Sequence, residues 1–266
     1  MSACGSSGSG SSAQPGVTVT MGSTMTLSGP TRWRPGSVRI TAVSAGGEQE
    51  LTLLRFHPGY SYAKFLADGA TANGQGAGAA AAMQRVFAGT DFLGGANVFS
   101  GEPASFTVTV KKGVYYLGEM NQNPSFRRVE VSGSRAMVAS QPAVTVTAFD
   151  FGFRLNQPSL PSRGTIAIRN TGQQIHRLLF VPVKAGTTAS EVGAYLRSTG
   201  GRPDSSPPPF ALNGPQVGTS MISPDQQLQF SYQLPAGEYA ILCFQPDSRT
   251  GQPQTLEGMY GVAALQ

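Results

Sequence analysis

The chain has 266 residues, long enough for one large domain or two ordinary ones, each with a full core. Charged residues make up only 12% of it while Gly (34) and Pro (19) are plentiful, which points away from long solvated helices and toward short strands and turns. The net charge of +5 is spread thin, with no run of Lys or Arg longer than two, so a nucleic-acid partner is excluded.

The N-terminus opens Met1-Ser2-Ala3-Cys4 and continues as GSSGSGSSAQPG, a Gly/Ser tract too polar to bury apolar surface. Residues 1–15 are therefore expected to be a disordered tether. Small residues before a cysteine, followed by such a tether, resemble the lipobox and linker of a bacterial lipoprotein, in which Cys4 is the lipidated residue. That resemblance implies an extracytoplasmic protein whose contact with membrane runs through an N-terminal lipid anchor alone. The other cysteine, Cys243, sits far away in an apolar run, so no structural disulfide is expected. No other stretch is long and apolar enough to span a bilayer.

The rest of the chain reads as an internal repeat. Val17-Thr18-Val19-Thr20 recurs as Val144-Thr145-Val146-Thr147, and Gly36-Ser37-Val38-Arg39-Ile40 as Gly164-Thr165-Ile166-Ala167-Ile168. Phe65–Gly69 parallels Tyr195–Gly200, each closing a helical stretch near 60–68 or 188–198. Phe106, with Gly113 and Tyr115, lines up with Phe230, Gly237 and Tyr239. The expectation is an all-β protein of two tandem Greek-key β-sandwiches, each with about seven strands and one short helix. The first occupies 16–133 and the second 143–266, with a linker at 134–142. The Gly/Ala-rich tract Gly69–Met83 reads as a long loop or weak helix without assignable chemistry. Trp33 and Tyr115 read as core aromatics.

The second repeat carries the chemistry. Asn170-Thr171-Gly172 ends a strand, and His176 opens the next apolar run. Cys243 lies four residues after Tyr239, on the same sheet face, and Met259 returns after a Pro/Gly-rich loop. Each alone is ordinary: a lone Cys or Met in an apolar stretch is usually packing, and a lone His after a turn usually lies at the surface. A thiol, an imidazole and a thioether converging from two loops suit copper better than zinc or a hard cation.

These stretches resemble the cupredoxins. Asn170-Thr171-Gly172-x-x-x-His176 is similar to their first-ligand loop. Gly237–Cys243 and Gly258-Met259-Tyr260-Gly261 are similar to the plastocyanin-type ligand loop, lengthened between Cys and Met. The resemblance covers Val144–Gln266 and reaches the first repeat only through the internal similarity. It implies a mononuclear copper held by two His, a Cys and an axial Met. The chain departs at the second His: the loop reads Gly251-Gln252-Pro253-Gln254, and no histidine follows His176. Gln254 thus stands in the missing ligand's place, and a carboxamide oxygen is a harder, weaker donor to copper than imidazole. Two outcomes stay open. Copper is held by His176, Cys243 and Met259 with Gln254 as a poor fourth donor, serving electron transfer or copper handling with a redox or copper-donor protein as partner. Alternatively, Gln254 hydrogen-bonds His176 and the sandwich is a metal-free structural or protein-binding module.

The first repeat lacks the set. Glu119 falls where Cys243 does, Glu48–Leu51 occupy the His176 stretch, His57 comes several residues late, and Met120 has no thiolate beside it. Two histidines are also too few for the interdomain cluster of a multicopper oxidase or nitrite reductase, and no Gly-x-Ser-x-Gly elbow occurs, so no enzyme activity is expected.

Overall fold

The computed structural model describes residues 14–73, 77–120, 124–202 and 208–266. Cys4 and nearly all of the expected tether lie outside the described residues. Gln14, within that stretch, is held: its side-chain amide donates to the Arg34 and Ser37 carbonyls and accepts from the Arg34 N–H.

The protein is all-β, two tandem sandwich repeats. The first comprises β1 (Val17–Met21), β2 (Thr26–Ser28), β3 (Arg32–Trp33), β4 (Gly36–Ser44) and β5 (Gln49–Phe56). Helices α1 (Tyr62–Ala72) and α2 (Ala77–Gly89) follow, and then β6 (Thr90–Val98), β7 (Ala104–Val110), β8 (Gly113–Glu119) and β9 (Ser125–Val131). The second opens with β10 (Thr145–Phe149), β11 (Gly152–Leu155), β12 (Ser159–Leu160), β13 (Arg163–Asn170) and β14 (Leu179–Val183). Helix α3 (Ala189–Ser198) leads to β15 (Val217–Gly218), β16 (Gln227–Gln233), β17 (Gly237–Leu242) and β18 (Tyr260–Leu265).

Every pairing of the first repeat recurs in the second. The antiparallel β1·β2, parallel β1·β4 and antiparallel β4·β7 ladders return as β10·β11, β10·β13 and β13·β16. In the other layer, β3·β9, β8·β9, β5·β8 and β5·β6 return as β12·β18, β17·β18, β14·β17 and β14·β15. The repeats then join edge to edge. β7 pairs antiparallel with β16, and β6 with β15, giving one eight-stranded and one ten-stranded sheet. The joint lies on a pseudo-two-fold: equivalent residues Phe106 and Phe230 face each other across it, both fully buried. Pairing these strands removes two unpaired edges from each repeat.

Alternation fixes the layers. β1 buries Val17, Val19 and Met21 and turns its threonines outward, and β16 buries Leu228, Phe230 and Tyr232. The inward residues of both repeats form one continuous core that includes Trp33, Phe106, Phe180 and Phe230. Tyr115 and Tyr239 occupy equivalent positions and make the same bond: each phenol O–H donates to the carbonyl four residues upstream, Lys111 and Pro235, at 3.1 Å. Such tyrosine corners pin the crossing between sheets in Greek-key sandwiches. Gly36 opens β4 at φ +133°, where a Cβ would lie 2.7 Å from the Ala136 carbonyl oxygen. That close approach lets residues 136–139 lie against β4, through Ser37 N–H to Met137 O and Ala139 N–H to Ser37 Oγ.

The helices depart from the sequence expectation. Among the described residues the second repeat has its one helix, started by a capping box between Thr188 and Glu191. The first has two. The tract read as a loop or weak helix divides between α1, capped by Ser61, and α2, whose Ala79-Ala80-Ala81-Ala82 run has the highest helix propensity of any residue type. Among the described residues no helix is long and apolar enough to cross a membrane.

Candidate metal centre

Two loops at one end of the second repeat build the site. The first leaves β13 at Asn170, a fully buried side chain that shapes it from within. The Asn170 amide donates to the Gln174 and Ile222 carbonyls at 2.7 and 2.8 Å, and its oxygen accepts the Gly172 N–H at 2.8 Å. His176 follows, held by reciprocal backbone bonds with Ile222. The second loop leaves β17 at Cys243 and returns at Met259, whose carbonyl accepts the Cys243 N–H at 3.2 Å. Asp247 closes this loop on itself, accepting the Arg249 and Thr250 N–H groups, and takes the Gln174 amide at 2.7 Å. Gln174 in turn accepts the Ser248 N–H. The two loops are thus tied together before any ligand is considered.

All four residues singled out on sequence, His176, Cys243, Gln254 and Met259, are buried to within 1% of completeness. His176 Nδ1 lies 2.8 Å from Gln254 Oε1, and Cys243 Sγ lies 3.3 Å from the same oxygen. Gln254 is oriented by the backbone: its Nε2 donates to the Ile175 carbonyl at 3.0 Å, which leaves the oxygen facing the imidazole and the thiol. The Gln254 carbonyl also accepts the Met259 N–H at 3.0 Å. Met259 and Cys243 share a small apolar cluster with Ala148, against which Phe151 and Phe153 pack. Sequence and structure therefore gather the same four side chains.

One member was not read from the sequence. Asp150, in the turn after β10, places Oδ1 2.9 Å from His176 Nε2 while its carboxylate accepts the Gln173 and Gln174 N–H groups. Its signal in the sequence was slight, a lone acid between two phenylalanines. Gly172 makes room for it, since a Cβ there would stand 2.2 Å from Asp150 Oδ1 and 2.6 Å from His176 Nε2. The glycine of Asn170-Thr171-Gly172 thus serves the contact between carboxylate and imidazole.

Electrostatics follow from burial. Removal from water pushes the His176 pKa below the ordinary imidazole range, with the Gln254 and Asp150 contacts pulling partly the other way. Burial pushes the Cys243 thiol up, opposed in part by the N–H of Arg177, 3.4 Å from the sulfur, and by that of Gln245. A neutral imidazole carries one proton, yet two oxygens face its two nitrogens. With that proton on Nδ1 the ring donates to the Gln254 oxygen; with it on Nε2 the ring donates to Asp150 and the Nδ1 lone pair is free to take a metal ion. Carboxylate, imidazole and metal in series is a recurrent arrangement that fixes the ring and its tautomer. Among the described residues no three His, Cys, Asp or Glu side chains gather around a common point as a metal cage. The side chains gathered here are one imidazole, one thiol, one thioether and one amide; thiol and thioether are soft and suit copper, Cu(I) above all, while the amide oxygen is the hard and weak member.

Among the described residues the first repeat offers no counterpart. Glu119 stands at the Cys243 position, and burial raises its pKa. His57 is 44% exposed at its side chain and pairs with Asp91, which also holds Arg55.

No protein-family model and no curated protein matches this chain. Among solved structures it is similar to the dithionite-reduced auracyanin of Roseiflexus castenholzii, 19% identical over 46% of this chain and 94% of that one, with a TM-score of 0.26. Auracyanin A of Chloroflexus aurantiacus, a blue copper protein, is 14% identical over 46% of this chain and 96% of its own, with a TM-score of 0.25. The copper nitrite reductase of Nitrosomonas europaea is 11% identical over 97% of this chain and 85% of its own, with a TM-score of 0.23. Likenesses this faint place no residue and assign no activity.

Proposed function

We propose that the second repeat binds a single copper ion through His176 Nδ1, Cys243 Sγ and Met259, with the Gln254 oxygen as a weak fourth donor. One observation carries this reading: an imidazole nitrogen and a thiol sulfur converge on one amide oxygen, while a carboxylate holds the far ring nitrogen. Bound copper would supply one-electron chemistry or a Cu(I) store; the chain's own part is to keep the donors dry, aimed and deprotonated on loading. With an amide in place of the second imidazole, Cu(I) is the better fit. Electron transfer and copper handling are both served by such a site, and neither requires an enzyme's substrate pocket.

The test is titration of purified protein with Cu(II) and, anaerobically, Cu(I). The expected result is one ion per chain, with a thiolate-to-copper visible band in the Cu(II) form that vanishes in Cys243→Ser. Gln254→His should strengthen Cu(II) binding, and unchanged affinity would place residue 254 outside the donor set. A second reading has its own support, because Gln254 already satisfies His176 and Cys243 by hydrogen bonding. In that case the second repeat is a metal-free binding module, and neither copper ion competes with the protons. The reading as an extracytoplasmic lipoprotein anchored at Cys4 accompanies the first proposal. Metabolic labelling with an alkyne fatty acid should mark the wild-type chain but not Cys4→Ala.

A further inference from the structure

The first repeat differs from the second by more than its missing donors. Among the described residues the link from β14 to β15 carries α3, and the equivalent link from β5 to β6 carries both α1 and α2. This hairpin leans across the pseudo-two-fold onto the loops of the other repeat. Phe65 and Val86 from the helices pack in one cluster with Ile175 and Met221 of the second repeat, and the Gln84 amide donates to the Ser248 carbonyl at 3.1 Å. Beneath the hairpin lies a cavity of about 400 Å³, bounded on one side by Arg177, Met221 and Gln245. Its size falls within the range of small-molecule sites, and a seam between two repeats is where such sites tend to form.

The chemistry of the walls is specific. Phe65, Phe87 and Phe92 contribute rings, and Met83, Met120 and Met221 contribute thioethers, which pack well and adaptably against aromatic edges. Gly69 and Ala72 give α1 a low face along the same wall, leaving room for a flat molecule. The ionic groups at the floor cancel: Arg177 pairs with Glu50 at 3.0 Å, and Ser220 donates to the other Glu50 oxygen at 2.7 Å. A charged ligand would meet no uncompensated partner there. Gln245 Nε2 is the polar group on offer: among the described residues it donates to the Met221 sulfur at 3.3 Å, a weak acceptor that a ligand oxygen would readily replace. The cavity also adjoins the candidate metal centre: the N–H groups of Arg177 and Gln245, whose side chains line it, point at the Cys243 sulfur.

We infer that this cavity binds a neutral, flat aromatic molecule bearing a carbonyl or hydroxyl oxygen, with the rings between the phenylalanines and methionines and the oxygen on Gln245. The site is independent of copper and forms in the metal-free protein.

Nile red, neutral and aromatic with one carbonyl, is the probe, used with the full chain in EDTA so that failure here and failure of copper binding are told apart. One saturable site per chain is expected, with affinity reduced at least about tenfold in Ala72→Trp, which adds bulk to the cavity from α1, a helix that carries none of the proposed metal donors. Equal affinity in a folded Ala72→Trp overturns the proposal, as does binding without saturation. The wild-type chain gives a second check through methyl-13C methionine spectra. Met83, Met120 and Met221 should shift on adding the dye while Met21 and Met259 stay in place. Signals that all move alike, or that leave those three unmoved, overturn it too.

Discussion

The two repeats share every strand pairing and differ at their ends. At the equivalent of Cys243 the first repeat has Glu119, and its end is filled by an aromatic cluster in which Phe56, Tyr62 and Tyr116 pack with ring centroids 4.8 to 6.4 Å apart. The second repeat keeps its end sparse and polar, with Asn170, Gln174, His176, Asp247 and Gln254 all buried and hydrogen-bonded. The sandwich therefore does not dictate what its loops hold. Strand pairing and the shared core set the frame, and a handful of loop residues decide whether one end carries packed rings or converging polar side chains.

The most forceful challenge to that comparison is to the frame itself. Phe106→Ala and Phe230→Ala should each cost about 3–5 kcal/mol, as large truncations in a closed core do, and they should cost alike because the residues sit across the pseudo-two-fold from one another. Urea unfolding measures both; a cost confined to one of them would mean that the repeats fold as unequal partners. Next comes the site: Gln254→Leu removes the acceptor from both His176 and Cys243 and should cost about 1–3 kcal/mol in the metal-free protein. Stability equal to wild type would mean that the amide does not organise the loops. The helix caps give a smaller contrast. Thr188→Ala breaks a reciprocal capping box and should cost about 1 kcal/mol, while Ser61→Ala, losing a single 3.3 Å bond, should cost less.

The gentlest contrast is in pH. His176 is held below its ordinary pKa of 6.5 by burial, so the folded state takes up its proton less readily than the unfolded chain. Its contribution is intact above that value and falls away as the solution is acidified below it. Glu119, raised by burial, works in the opposite sense: its charge disfavours the folded state at neutral pH, and acidification relieves it. His176→Asn should therefore flatten the loss of stability between about pH 7 and pH 5, and Glu119→Gln should raise stability at neutral pH. Melting temperatures across that range test both signs.

Much of the frame was legible because period-two alternation and turn glycines repeat in the sequence: Gly113-x-Tyr115 and Gly237-x-Tyr239 mark the same tyrosine corner twice. The meeting of these side chains at one end was legible because Cys243 and Met259 stand in order around a single loop and His176 follows Asn170-Thr171-Gly172. Three features were not. Asp150 reaches His176 from 26 residues upstream, a contact that no local pattern announces. The edge-to-edge joining of β7 with β16 depends on shape and register, which act between repeats rather than along them. Helix α2 hid in a Gly/Ala tract because its apolar face is small, and it gains its place by packing across the joint onto Ile175 and Met221.

The central claim is that the second repeat alone presents a soft donor set. Anaerobic competition for Cu(I) against a chromogenic chelator tests it most directly. The account predicts that wild-type chain and Glu119→Gln each withhold one Cu(I) from the chelator, and that Cys243→Ser and His176→Asn withhold none. Full transfer of Cu(I) to the chelator by the wild-type chain, or retention undiminished in Cys243→Ser, would contradict it.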